Sequence, residues 1–144
     1  MKIDPPMIFM AIMAISISVS LIPLRVYGFP WNCFGVVFIV FGIFFNLWTD
    51  SIFKKMQTTV KPYEKPTNFV RNGPFSISRN PMYLGMLSLL LGVAVLSANP
   101  ITFLFPILFV IMIELFYIPM EERNMKKFFG KKYIDYKKKV RRWI

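Results

Sequence analysis

The stretch RNPMYLGMLSLLLGVAVLSANPITFLFPILFVIMIELFYIPMEE, residues 79–122, decides the fold. It contains two apolar runs, residues 82–98 and 101–119, and the second holds a single charged side chain, Glu114. Each run approaches the roughly 20 residues that an α-helix needs to cross a bilayer. The Asn-Pro pair at residues 99–100 favours a tight turn between them. The stretch therefore predicts a hairpin of two membrane helices.

Two further apolar runs precede this hairpin, at residues 7–24 and 31–49. The composition agrees, since 56% of the 144 residues are hydrophobic and 16 of them are Phe. A soluble domain of this length has too little interior to bury so much apolar surface. We therefore predict one all-α integral membrane domain over residues 1–144. Residues 1–49 supply two transmembrane helices, and residues 50–144 supply a loop, the hairpin and an amphipathic C-terminal helix.

The charge is concentrated in two segments of the chain. The connection over residues 50–81 carries six basic and two acidic residues, and the tail over residues 121–144 carries ten basic and three acidic residues. Basic residues beside apolar spans mark cytoplasmic flanks. We therefore predict a multi-pass protein with both termini, the loop and the tail on the cytoplasmic side. Membrane lipid is the expected partner of this charge, and nucleic acid is not, because no recognition motif accompanies it.

The tail has the pattern of an interfacial helix, with aromatic side chains spaced between lysines. We predict one helix over residues 121–144, weakened at Gly130 by about 1 kcal/mol relative to Ala. The oligomeric state does not follow from this pattern.

Several kinds of site are excluded by composition. The chain has no His and one Cys, Cys33. Ser–His and Cys–His nucleophile pairs, disulfides within the chain and zinc sites are therefore ruled out. Any acid–base chemistry must use carboxylates, Tyr, Lys or water, and we predict no metal site.

Glu114 is a functional candidate because a carboxylate within a membrane helix is expensive to insert. Tyr117 and Glu121 follow three and seven residues later, so a continuous helix would place all three on one face. The alternative is that Glu114 lies close enough to the helix end to reach water. Glu121 and Glu122 also suit a helix start after Pro119 without any functional role.

The loop holds turn residues, arginines and a tyrosine in the short segment NFVRNGPFSISRNPMYLG, residues 68–85. This segment resembles the signature of the isoprenylcysteine carboxyl methyltransferase and phospholipid methyltransferase superfamily. The family pattern has a Gly, an aromatic and then Arg-(His or Asn)-Pro-x-Tyr-x-Gly. The tail EERNMKKFFGKKYIDYKKKVRRWI, residues 121–144, is similar to the family's second block of paired glutamates, Phe-Gly, two tyrosines three apart and a basic end.

The resemblance implies a membrane enzyme that uses S-adenosyl-L-methionine, bound at the cytoplasmic membrane edge between the loop, the hairpin and the tail. From the chemistry of the residues we predict catalytic roles for Glu114, Tyr117 and Arg79. Where the family has a substrate-contacting arginine, this chain has Tyr117, and Asn80 stands where His is frequent. The implied cofactor-binding residues are Thr67, Asn68, Phe69, Val70, Phe75, Asn80, Pro81, Met82, Tyr83, Glu121 and Glu122.

The expected reaction is methyl transfer to a lipophilic or prenylated acceptor, as in isoprenylcysteine carboxyl O-methyltransferases. One alternative is N-methylation of an ethanolamine phospholipid, which needs a base such as Glu114 or Tyr117 because the amine must lose a proton. A second alternative is an NADPH-dependent membrane reductase of related architecture. A third is a non-catalytic membrane protein whose basic face binds anionic lipid.

Overall fold

A computed structural model describes residues 4–57 and 68–144, and every regular element within these ranges is helical. Short 3₁₀ turns lie at Trp31–Cys33, Gly73–Ser76 and Pro100–Phe103. A π-helical segment, Ile113–Tyr117, lies between the fourth and fifth helices. The helices are α1 (Pro5–Ser20), α2 (Phe34–Lys55), α3 (Pro81–Ser97), α4 (Leu104–Met112), α5 (Ile118–Phe129) and α6 (Lys131–Lys139).

Helices α2 and α3 run antiparallel and touch through glycines. A Cβ on Gly35 would lie 2.5 Å from the carbonyl oxygen of Gly92, and a Cβ on Gly42 would lie 2.7 Å from that of Gly85. Both glycine pairs are spaced seven residues apart, which keeps them on one helix face. Small residues allow this close backbone approach, a common way for membrane helices to associate.

The turn between α3 and α4 is fixed by Asn99, which is fully buried. Its side-chain oxygen accepts from the N–H of Ile101 at 3.0 Å, and its amide nitrogen donates to the carbonyl of Val19 at 3.2 Å. The tight turn predicted at residues 99–100 is present, with Ala98 in the left-handed region at φ 55°. One side chain thus caps the turn and joins it to the end of α1.

Within the described ranges, two helices are long and apolar enough to cross a membrane by length and composition, Trp31–Lys55 and Pro100–Phe129. Helices α1 and α3 are apolar but shorter. The all-helical prediction is confirmed, whereas the four crossings and the cytoplasmic side remain predictions. The apolar run at residues 7–24 forms a helix only as far as Ser20, and the loop after it includes a cis peptide bond before Pro30.

The helix that contains the fourth apolar run continues beyond residue 119, through Pro119 to Phe129. A proline inside a helix donates no backbone hydrogen bond. Just before it, the N–H of Ile118 donates to Ile113, five residues back, which makes the turn π-helical. Such insertions are frequent at functional sites.

The prediction of one helix over residues 121–144 is wrong. Helix α5 ends before Gly130, whose φ of 48° and ψ of −120° suit glycine. A new helix, α6, begins at Lys131. Helix α6 ends at Lys139, and residues 140–144 are not helical. The break lets α6 and the last residues return to the loop at residues 68–80.

Candidate active site

Tyr83, in the first turn of α3, donates a short hydrogen bond to Oε1 of Glu121 in α5. The two residues are 38 positions apart in the chain, and the structure brings them into direct contact. Tyr83 is 6% exposed and belongs to the hydrophobic core, beside Met86, Ile113 and Tyr117. The Glu121 carboxylate is therefore held at the polar end of that core.

Glu122 is the centre of a network of ion pairs. Its Oε1 lies 2.8 Å from Nη1 of Arg79 and 3.1 Å from Nε of Arg142. Its Oε2 lies 2.7 Å from Nζ of Lys137. The Arg79 and Glu122 side chains are 9% and 14% exposed. Because both charges are largely removed from water, each depends on the other for compensation.

Glu114, in the π-helical segment, joins the same network through Arg142. Nη1 of Arg142 donates to Oε1 of Glu114 at 3.0 Å. The one-face prediction assumed a regular helix. In the structure Tyr117 turns into the hydrophobic core, whereas Glu114 contacts the tail. Among the described residues, Oε2 of Glu114 and Nε of Arg79 are buried without a hydrogen-bond partner.

The last residues of the chain are held against the loop by backbone contacts. The N–H of Arg79 donates to the carbonyl of Arg141 at 3.1 Å. The side chains of Ser78 and Asn80 both donate to the carbonyl of Arg142, at 3.2 and 3.0 Å. The hydrogen bond that Arg142 donates to Glu122 raises the pKa of Arg142, and the one that it donates to Glu114 raises it to a smaller extent. These contacts fix the Arg142 guanidinium over the two glutamates.

An aromatic group lies beside the ion pairs. The ring of Phe69 is within 5.1 to 6.4 Å of the rings of Phe129, Tyr133 and Tyr136, measured between centroids. The hydroxyl of Tyr136 donates to the carbonyl of Phe75 at 2.6 Å. Burial raises the pKa of Tyr136, so this hydroxyl stays protonated and able to donate. Helix α6 thereby attaches the tail to the loop.

For the other predicted cofactor-binding residues, the contacts lie outside the charged cluster. Asn68 donates to the carbonyl of Met56 at 2.7 Å, Val70 is buried, and the buried ring of Phe75 packs against Phe53 with centroids 5.2 Å apart. Pro81 is the first residue of α3, and Met82 is partly buried. Thr67 lies outside the described residues.

Three members of the charged cluster were missed at the sequence level, Tyr133, Lys137 and Arg142. Tyr133 had a detectable signal, since it lies three residues before Tyr136 on one helix face. Its hydroxyl accepts from Nη1 of Arg79 at 3.4 Å. Nothing in a run of ten basic residues distinguishes Lys137 or Arg142 from its neighbours. Only the break at Gly130 brings them to Glu122.

The fold and this cluster define a membrane-associated helical protein with a polar site at the end of its apolar helices. The model of the phospholipid methyltransferase family matches residues 31–132, and the chain belongs to that family. This is the superfamily that the sequence resemblance had indicated.

Individual relatives carry related names. The chain is 35% identical over 80 residues to protein-S-isoprenylcysteine O-methyltransferase B of Arabidopsis thaliana. The aligned segment covers 54% of this chain and 39% of the relative. It is 35% identical over 74 residues to the Saccharomyces cerevisiae protein-S-isoprenylcysteine O-methyltransferase, and this alignment covers 49% of this chain and 30% of the relative.

A third relative, an uncharacterized protein of Haemophilus influenzae, is 40% identical over 63 residues, covering 44% of this chain and 100% of the relative. The chain therefore spans well under half the length of the two named isoprenylcysteine enzymes. No solved structure gives a significant match.

Proposed function

We propose that this protein transfers a methyl group from S-adenosyl-L-methionine to a lipophilic acceptor at the cytoplasmic face of a membrane. The family assignment and the names of the relatives support methyl transfer. The apolar helices support an acceptor that arrives from the lipid. The observation that carries the proposal is the contact between Tyr83 and Glu121, which joins the two sequence blocks that the resemblance identified.

The residues present fit the amino-acid end of such a cofactor. A buried donor, Nε of Arg79, and a buried acceptor, Oε2 of Glu114, have no partner among the described residues. A ligand carboxylate would satisfy Nε of Arg79, and charge-assisted hydrogen bonds of this kind are strong. Buried polar atoms without partners are otherwise unfavourable.

In this proposal Arg79 binds the cofactor's carboxylate, and Glu121, oriented by Tyr83, accepts from its ammonium or ribose hydroxyls. The aromatic group around Phe69 offers ring faces to an adenine or a positively charged sulfur. When bound, the cofactor supplies an electrophilic methyl group on that sulfur. The chain's own task is to hold the acceptor atom about 3 to 3.5 Å from the methyl carbon and in line with the sulfur.

The acceptor determines whether a base is needed. A carboxylate acceptor, as the relatives' names suggest, attacks without losing a proton. An amine acceptor, as the phospholipid family's name allows, must first be deprotonated, and Glu114 or Tyr117 would take the proton. Glu114 is the better placed of the two, because Oε2 has no partner among the described residues and Tyr117 lies in the core.

The cofactor assignment is tested by calorimetric titration of the purified protein with S-adenosylhomocysteine and, separately, with NADPH. We expect only S-adenosylhomocysteine to bind, with affinity at least tenfold weaker in Tyr83→Phe and Glu121→Gln. Tyr27→Phe is the matched control, because the Tyr27 hydroxyl donates to the carbonyl of Val95, away from the cluster. Binding of NADPH alone would favour the reductase, and equal affinities in all variants would disprove the site.

The acceptor class is tested by transferring a labelled methyl group into total membrane lipid and protein. Label that is released by base marks an ester, and label that resists base marks an amine. We expect Glu114→Gln to leave ester formation within about threefold, because a carboxylate needs no base. Loss of ester formation by tenfold or more in a variant that still binds S-adenosylhomocysteine would contradict this division of roles.

A further inference from the structure

Arg142 has hydrogen-bonding capacity that the network leaves unused. Its Nε donates to Glu122 and its Nη1 to Glu114, and among the described residues Nη2 has no partner. The side chain is 35% exposed, in contrast to the buried side chain of Arg79. Arg142 thus presents a guanidinium edge outward from the cluster.

The local charge favours an added anion. Arg79 and Arg142 both lie within 3.1 Å of one oxygen, Oε1 of Glu122, and Lys137 binds the other oxygen. Three cations therefore face Glu122 and Glu114, while Glu121 is bound separately by Tyr83. Two guanidinium groups at one oxygen repel each other, and a further oxyanion at Arg142 would relieve that repulsion.

The backbone that carries the Arg142 side chain is held in place independently of its ion pairs. Ser78 and Asn80 bind the backbone carbonyl of Arg142, and the next residue, Trp143, packs against the hydrophobic core. A pre-positioned guanidinium loses less freedom when it binds a carboxylate or a phosphate.

A groove with a wholly apolar lining lies on the helical stretch that leads to Glu114. It has a volume of about 400 Å³ and runs between α3 and α4. Leu87 and Leu91 form one wall, and Ile107 and Val110 form part of the other. Ile107 and Val110 precede Glu114 by seven and four residues, which aligns them with it along the helix. The lining of the groove thus ends about one helical turn before the residue that Arg142 contacts.

We propose that Arg142 binds the oxyanion of the methyl acceptor, and that this groove holds the acceptor's hydrocarbon chain. The inference rests on the proposed function and adds the chemistry of the acceptor, an anionic amphiphile carrying a carboxylate or a phosphate. It also supplies a guanidinium for the substrate in a chain that has Tyr117 where the resemblance places an arginine. The guanidinium comes instead from the C-terminal residues.

The test compares each anionic ligand with a neutral counterpart by titration calorimetry in detergent. An N-acetyl-S-prenylcysteine and its carboxamide probe the carboxylate. A lysophosphatidic acid and a monoacylglycerol probe the phosphate. For one pair, we expect the wild type to bind the anion at least tenfold more tightly than its neutral counterpart. The pair that shows this preference identifies the source of the oxyanion.

Arg142→Gln should abolish the preference by weakening only the anionic ligand, whereas Arg141→Gln, the adjacent exposed arginine, should keep it. Arg142→Lys retains the charge without the forked donors and should lose about threefold to tenfold of the preference, which gives a second measurement if Arg142→Gln does not fold. An unchanged preference in both Arg142 variants, or none in the wild type, would overturn the assignment.

The groove has its own pair of variants. Ile107→Trp fills it and should weaken the anionic and neutral ligands equally, by tenfold or more. Leu108→Trp, one position on and exposed outside the groove, should change neither. If Ile107→Trp and Leu108→Trp bind the ligands with equal affinity, the groove does not hold the hydrocarbon chain. S-adenosylhomocysteine serves as the separate readout, because its failure to bind the wild type would refute the proposed cofactor and leave these titrations interpretable.

Discussion

The α2–α3 interface and the charged cluster are held together by different forces. At the interface, glycines let two backbones approach until a single added methyl group has no space. In the cluster, three cations meet Glu114 and Glu122 across gaps of 15 to 43 residues in the chain. Shape therefore specifies the apolar α2–α3 interface, and charge specifies the polar cluster. Each can be disturbed without directly altering the other.

Glu122→Gln should have the largest effect on stability. It removes one charge that compensates three cations and leaves the buried Arg79 without a carboxylate. Breaking one partner of a buried pair costs about 3 to 5 kcal/mol. Thermal unfolding in detergent measures the loss. Asp50→Asn is the control, because the Asp50–Lys54 pair is exposed and contributes about 0.5 kcal/mol or less. Similar losses in the two variants would mean that the cluster is no stronger than a surface pair.

Gly35→Ala should destabilise the protein by about 2 kcal/mol, within the range for overpacked cores. The new Cβ would lie 2.5 Å from the Gly92 carbonyl oxygen and 2.7 Å from the backbone nitrogen of Leu96. Backbone atoms cannot move aside as a flexible side chain can. Gly28→Ala, with no atom within 4 Å, should unfold at the same temperature as the wild type. S-adenosylhomocysteine affinity should stay unchanged in Gly35→Ala below its unfolding temperature.

Gly130→Ala should cost about 1 to 2 kcal/mol by backbone strain alone, since a Cβ there meets nothing within 4 Å. Because Gly130 turns the chain from α5 into α6, the loss should be accompanied by weaker binding of S-adenosylhomocysteine. Lys132→Ala, on the exposed side of α6, is the control for both measurements. A stability loss without any change in affinity would separate the turn from the site.

Tyr136→Phe should have the smallest effect, about 1 kcal/mol, the usual contribution of one hydrogen bond. The lost bond is the one to the carbonyl of Phe75, and the ring remains packed against Phe69. Hydrogen exchange of the loop backbone measures the loosening near Phe75 more directly than global unfolding does. Ser51→Ala removes an exposed local hydrogen bond and should leave the loop unchanged. Unchanged exchange in Tyr136→Phe would mean that α6 does not hold the loop.

The helices of the hairpin were predictable because a long apolar run has few other solutions in lipid. The bounds of α3 and the turn at Asn99 follow the sequence closely. The sequence left the continuation through Pro119 open, since proline ordinarily argues for a helix boundary, whereas the spacing of Glu114, Tyr117 and Glu121 suits a continuous helix. In the structure a π-helical turn accommodates it. The contact between Tyr83 and Glu121 was expected, but only the resemblance of two remote blocks indicated it.

The sequence by itself determined the helical, apolar character of this protein, its methyltransferase family and the identity of most candidate site residues. Periodicity and composition act over a few turns, and a linear sequence displays them directly. The tertiary structure decided that Arg142 and Lys137, among ten basic residues of the tail, reach Glu122, and that Glu114 and Tyr117 face different surroundings. Long-range ion pairs depend on where the chain reverses, and here the backbone of Gly130 sets that position.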